Sequence, residues 1–276
     1  MNNMPCDNNM PCDWEIYMKT TYEYIIECVS TFRKKFELGE HEPINDIFSI
    51  VDDSFLILKF PNKMGVSGVS TEKKDRNKTY KCIYINTNEP IGRQNFTFAH
   101  ELYHIYFKKA TSALCLEDER DKDEVEKEAE MFASNLLIPR YWLLKKFKDY
   151  GLKNNKKIEM HHVFWLQREF NVSFQAIIYA IDDLGKHEIY GKFSEYIPQI
   201  PEYFKQYYNS NWDKLEKETK KFSPDLNLNS VIPVYEFPER FKKNLINNFL
   251  RGLVEFEVVE DIFNFFEKRD ELEKYL

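Results

Sequence analysis

The chain has 276 residues, 43% hydrophobic and 31% charged, with 23 Phe and 17 Tyr; it can bury one substantial core and is too aromatic for a disordered chain. Its longest apolar runs, such as FLIL (Phe55 to Leu58) and AIIYAI (Ala176 to Ile181), are too short to cross a bilayer. A net charge of -7, with no basic stripe, argues against a stand-alone nucleic-acid binder, because phosphate contacts dominate such affinity.

The N-terminus repeats NNMPCD in tandem without a basic or apolar signal region, so residues 1–13 read as an unstructured tail. Cys6, Cys12, Cys28, Cys82 and Cys115 form no C-x-x-C pair. That pattern argues against a disulfide framework or a zinc ribbon and fits a reducing cytoplasm. Ile16 to Phe36 has helical spacing and no Pro or Gly, which predicts one long helix. SFLILKF, MGVSGVS and TYKCIYIN read as three strands of a small antiparallel sheet, with STEKKDRNKT as the turn between the last two. Pro90 and Gly92 end the strands, and a helix opens near Asn95 or Thr97, either of which suits an N-cap.

A polar, acidic loop follows, then a helix from about Asp123 to Leu137 that Pro139 stops, and a shorter one over Tyr141 to Tyr150. Beyond the linker GLKNNKK, IEMHHVFWLQREF and SFQAIIYAIDDL form a helix pair with Ser173 as the second N-cap. A DNA-binding helix-turn-helix is disfavoured, because the second helix offers Gln175, Asp182 and Asp183 and no Lys or Arg. Residues 186–276 change composition, and PERFKKNLINNFLRG and EFEVVEDIFNFFEK read as two amphipathic helices around Gly252, with no catalytic constellation. The expected organisation is a tail at 1–13, an α+β domain at 14–185 and a mostly helical extension at 186–276.

Within the almost wholly apolar stretch FTFAHELYHIYF, His100, Glu101 and His104 follow the pattern H-E-x-x-H. On a helix, positions i and i+4 lie about 40° apart, so both imidazoles can turn a nitrogen to one ion, with Glu101 about 100° round from His100. Two neutral imidazoles and a third protein ligand hold zinc and leave an open position for a water whose pKa falls to about 7. Glu101 is then placed to take that water's proton. As mere core residues, two histidines and a glutamate would carry an uncompensated desolvation cost. A closed structural site usually recruits Cys, and only Cys115 is near.

The third ligand is expected from the next helix. Val125, Ala129, Phe132, Ala133, Leu136 and Leu137 mark its buried face, and Glu126 projects about 60° from the centre of that face, closer than Glu128 or Glu130 at about 100°. Glu130, one turn after Glu126, is a candidate hydrogen-bond partner for a ligand histidine. His161 and His162 are weighed as oxyanion stabilisers and set aside as an ordinary helix start, and Tyr103 is expected to pack.

FTFAHELYH followed by EKEAEMFASNLLIP resembles the ImmA/IrrE-type metallopeptidases, with their F-T-x-A-H-E-x-x-H helix and downstream E-x-x-A-N-x-F-A-x-x-L-L-x-P helix. The likeness extends to GVSGVS, to YINTNEP before Arg93 and to FNVSFQAI, most of residues 45 to 185, with a weaker echo over FPERFKKNLINNF. Glu130 stands where the family has Asn, and Tyr103 where it has Gly. The resemblance implies a zincin fold, Zn2+ on His100, His104 and Glu126, and Glu101 as general base. It also implies a protein substrate, an Xre-type helix-turn-helix repressor, often in mobile genetic elements or stress responses.

The expected function is therefore a cytoplasmic zinc endopeptidase; the alternative is a zinc-containing module that sequesters a transcription regulator without cutting it. Nine acids and three bases between Glu117 and Glu130 suggest an acidic flank that steers a basic partner. The strands before the metal helix are expected to offer an edge to an extended segment.

Overall fold

The computed structural model describes residues 12–51, 55–76, 78–107, 113–116, 124–186, 193–207 and 212–275. Strands β1 (Phe55–Phe60), β2 (Val66–Asp75), β3 (Lys78–Asn86) and β4 (Ala113–Leu116) form one sheet in the order β1-β3-β2-β4. β2 runs antiparallel to both β3 and β4, but β1 is parallel to β3, from Phe55 opposite Lys81 to Phe60 opposite Asn86. The sheet is thus mixed rather than antiparallel as expected. β3 takes a central place because it carries Ile83 and Ile85, both fully buried. The run STEKKD is strand, not turn: β2 stays in register with β3 as far as Asp75 opposite Lys78. Its ladder satisfies the backbone while the side chains from Thr71 to Lys74 remain largely outside the core.

Helix α2 (Ile91–Tyr106) packs on β2 and β3 and against α3 (Glu124–Leu137), which in turn meets α1 (Cys12–Lys35). Because protein surrounds α2, it is buried on nearly every face from Gly92 to Ile105, which accounts for the apolar stretch around the histidines. The helix begins earlier than expected. Pro90 is its N-cap, and Asn95 and Thr97 lie inside it. Its first N–H groups need no side-chain cap, since Ile91 N donates to Ser230 O (3.2 Å) and Gly92 N to Leu228 O (2.8 Å). Gly92 is also where two backbones meet: a Cβ there would lie 2.4 Å from Ser173 N and 2.6 Å from Val172 C.

Helices α4 (Arg140–Asp149), α5 (Met160–Phe170) and α6 (Phe174–Leu184) follow the expected pattern, with Ser173 Oγ accepting from Ala176 N at 3.2 Å. The α5–α6 pair is core scaffold, with Phe164, Phe170, Phe174 and Ile177 buried. Phe204, Leu215 of α7 (Trp212–Phe222), Leu226 and Leu228 join the same core. A second apolar cluster forms from Phe237 onward, on α8 (Glu239–Leu250), α9 (Phe256–Phe265) and α10 (Arg269–Leu272), and leans on Leu58 and Phe60 of β1. Gly252, at φ 68°, makes the turn between α8 and α9. The packing therefore divides between Leu228 and Phe237, whereas composition alone suggests 185/186.

The tandem hexapeptide and the loop at 117–123 fall largely or wholly outside the described residues. Among the described residues, no helix is long and apolar enough to cross a membrane. β2 pairs with β3 from Gly68 to Asp75 and with β4 from Val66 to Ser70, and the outer side of β1 meets Glu236 at Lys59 (2.7 and 2.9 Å). Of the strands preceding α2, then, β2 is covered by β4 only from Val66 to Ser70, and over that stretch the outer edge belongs to β4.

Candidate metal centre

α2 sets His100 and His104 one turn apart, and α3 crosses it so that Glu126 faces both. His100 Nε2 lies 3.1 Å from Glu126 Oε2, His104 Nε2 lies 3.3 Å from Glu126 Oε1, and the two Nε2 atoms are 3.1 Å apart. The three side chains form a cluster able to hold a metal ion. The separations fit a cation: tetrahedral zinc with ligands at about 2.0–2.1 Å has ligand–ligand edges of about 3.3 Å. Burial raises the Glu126 pKa, but hydrogen bonds and charge from His100 and His104 outweigh it and hold the carboxyl well below the usual range.

Glu101 is fully buried and lies against β2 where Gly68 leaves room. A Cβ on Gly68 would fall 3.2 Å from Glu101 Oε1 and 2.5 Å from Thr97 Cγ2. The glycine sits at a register shift between β2 and β4 and permits the close approach of α2 to the sheet. The second glycine of GVSGVS carries this signal, which a strand pattern alone does not reveal.

The other acids of α3 separate. Glu128 accepts a 2.8 Å hydrogen bond from the Tyr103 hydroxyl, and burial together with this carboxylate pushes the phenol far above the ordinary tyrosine range. Tyr103 thus packs as expected and also ties α2 to α3. Glu130 lines the cleft one turn from Glu126. Glu126 and Glu128 turn toward α2 while Glu124 is exposed, and the rest of the expected acidic flank, 117–123, lies outside the described residues. His161 and His162 stand apart from the cleft, their rings 4.0 Å apart and tilted by 37°, near Trp165.

The metal cluster opens on a cleft of about 510 Å³ lined by α2 (Arg93, Phe96, Thr97, His100), α3 (Glu126, Met131, Ser134) and α6 (Gln175, Tyr179, Asp183). Arg140 closes part of it, its Nη2 donating to Asp183 Oδ2 (3.0 Å) and Ser134 Oγ (2.9 Å). The roles of Arg140 and Tyr179 in this wall were not legible in the sequence, since neither belongs to a local motif, and Arg93 is marked there only as the residue that follows YINTNEP in the family resemblance. Residues 57–182 match the family model Peptidase_M78, described as IrrE N-terminal-like domain. No curated protein matches the chain.

Proposed function

Because residues 57–182 belong to the IrrE N-terminal-like domain family of peptidases, we propose that this chain is a zinc-dependent endopeptidase. The observation that carries the reading is the convergence of His100, His104 and Glu126 to within 3.1–3.3 Å at the floor of a cleft. Two imidazoles and one carboxylate are the ligand set of an open catalytic zinc site, not of a closed structural one.

Zn2+ held by these three residues would supply a Lewis acid and bring the pKa of a water to about 7. The protein residues carry out the remaining steps. Glu101 follows the first ligand directly, and its carboxylate takes one proton from the attacking water as the water oxygen bonds to the scissile carbonyl carbon. As the C–N bond breaks, Glu101 returns that proton to the amide nitrogen, and an acid and an amine leave. Phe96, Thr97 and Met131 supply walls against which an extended substrate is held.

The substrate we propose is a regulatory protein, an Xre-type helix-turn-helix repressor, cut at one or a few bonds; resemblance to the ImmA/IrrE proteins supports this. The test is mass spectrometry of a candidate Xre-type repressor after incubation with the zinc-loaded chain and with Glu101→Gln. Discrete fragments with the first and none with the second are expected, with about one zinc per chain in both. An intact repressor that binds equally well to both would favour sequestration without cleavage, and efficient casein digestion with an intact repressor would reverse the substrate assignment.

A further inference from the structure

We propose that Arg93 is a substrate-recognition residue that receives a carboxylate of the bound peptide about three residues from the scissile bond. The inference rests on the peptidase reading for the position of that bond. Arg93 and His100 are seven residues apart on α2, which is two turns less about 20°, so both face the same way with about 10.5 Å between them along the axis. Both line the cleft, with Phe96 and Thr97 between them. An extended peptide advances about 3.3 Å per residue, so a chain lying along this face with its reacting bond at the metal cluster brings a side chain to Arg93 about three residues away.

The guanidinium is held rather than free to swing. Nε lies 3.3 Å from Glu89 Oε2, and Nη2 donates to Ser67 Oγ at 3.4 Å. Ser67 Oγ in turn donates to Glu89 Oε1 at 2.6 Å. Glu89 is only 5% exposed, whereas the Arg93 side chain is 37% exposed. The buried carboxylate thus fixes one edge of the fork. Among the described residues, no hydrogen bond engages Nη1 or the second N–H of Nη2. An arginine anchored on one side, with open N–H donors on a cleft wall, is suited to accept a planar carboxylate. The ligand class is therefore a peptide carrying Asp or Glu at that position, or one whose free C-terminal carboxylate falls there.

The test uses the zinc-loaded full chain carrying Glu101→Gln, immobilised and exposed to a random library of short synthetic peptides with amidated or free C-termini. Sequencing the retained peptides in the Arg93-containing protein, Arg93→Gln and Arg93→Lys gives a readout independent of cleavage. Asp or Glu should be enriched at one fixed position, about tenfold as expected for one charge-assisted contact, and Arg93→Gln should abolish the enrichment. Arg93→Lys keeps a positive charge beside Glu89 but lacks the fork; it should retain less than half the enrichment and carries the comparison should Arg93→Gln fail to fold. Enrichment in the amidated library assigns side-chain carboxylates, and enrichment confined to the free library assigns the C-terminus. No acid enrichment, no retained peptide, or equal enrichment in all proteins would overturn the proposal. Absence of cleavage by the chain with Glu101 intact, read separately, would count against the peptidase reading and leave the Arg93 result standing.

Discussion

Asn229→Ala tests whether the C-terminal extension stabilises the metal helix. Asn229 is 3% exposed; its Nδ2 donates to Gln167 Oε1 (3.0 Å) and Thr219 Oγ1 (2.9 Å), while its Oδ1 accepts from Gln167 Nε2 (2.9 Å) and Phe174 N (3.4 Å). Truncation leaves Gln167 Oε1 without its donor in a buried place and removes one acceptor from Phe174 N. Gln167 Nε2 keeps Val172 O, and Thr219 Oγ1 still donates to Leu215 O. One stranded group, Gln167 Oε1, at about 1–3 kcal/mol, plus about 1 kcal/mol for each of the three other bonds lost, gives an expected loss of about 4–6 kcal/mol. The carbonyls on either side of Asn229 are the acceptors for Ile91 N and Gly92 N, so the same variant should loosen the start of α2. Urea unfolding in the presence of a chelator measures the stability. Competition with a chromophoric chelator measures zinc affinity, expected to fall about tenfold, as for supporting residues of other metal sites. A stability loss under about 1 kcal/mol with unchanged affinity would refute the argument that this segment supports the site.

Three further outcomes follow from particular contacts. Glu126→Ala should lose zinc by elemental analysis, whereas Glu128→Ala should keep it and instead lose about 1–3 kcal/mol of stability by removing the acceptor of the buried Tyr103 hydroxyl; equal zinc retention would mean the ligand assignment is wrong. Gly92→Ala should fail to fold or lose several kcal/mol by urea denaturation, because its Cβ would meet backbone atoms at 2.4–2.8 Å and backbone cannot yield as a side chain does; near-normal stability would show that α2 does not approach the α5–α6 turn this closely. Burial, then the charge of His161, lowers the His162 pKa from 6.5, against the opposing pull of Glu159. The unfolded chain therefore binds more protons below pH 6.5, and stability is full above that value and falls as pH drops below it. The drop in urea midpoint between about pH 7.5 and 5, measured without metal, should be smaller in His162→Gln, and an identical drop would remove His162 from the account.

How much was readable in the sequence depended on whether the information was local. H-E-x-x-H is legible because the i, i+4 relation fixes both imidazoles on one face whatever surrounds them. Glu126 was reachable by projection. Acids at 126 and 128 are about 200° apart, so they flank the buried face on its two sides and reach different residues of α2, Glu126 the histidines and Glu128 Tyr103, while 126 and 130 are about 40° apart and share the cleft side. The start of α2 was missed because its cap is backbone from residues 228 and 230, which no local signal at Asn95 or Thr97 can reveal. The parallel β1–β3 pair was missed for a related reason, since three successive strands read most simply as a meander and only burial of Ile83 and Ile85 decides which takes the centre. Arg93, Arg140 and Tyr179 lie on three different helices and meet only around a cleft.

The same contacts bear on how far the site depends on the rest of the chain. The family match ends at residue 182, yet α2 begins on carbonyls of Leu228 and Ser230, and Thr87, just before it, exchanges hydrogen bonds with Val234 (2.9 and 3.1 Å). On the other side of the match, Arg33 donates to Leu136 O at the end of α3 (2.6 Å), and the Tyr22 hydroxyl donates to Asn135 Oδ1 (3.2 Å). α2 carries His100 and His104, and α3 carries Glu126, so one end of each ligand-bearing helix is secured by chain outside the matched segment. Unsatisfied helix ends are costly when buried, and a shift of about 1 Å between α2 and α3 would spread a triangle whose edges are now 3.1–3.3 Å. The flanking segments are therefore part of what sets the metal geometry, although every proposed ligand lies within the matched segment.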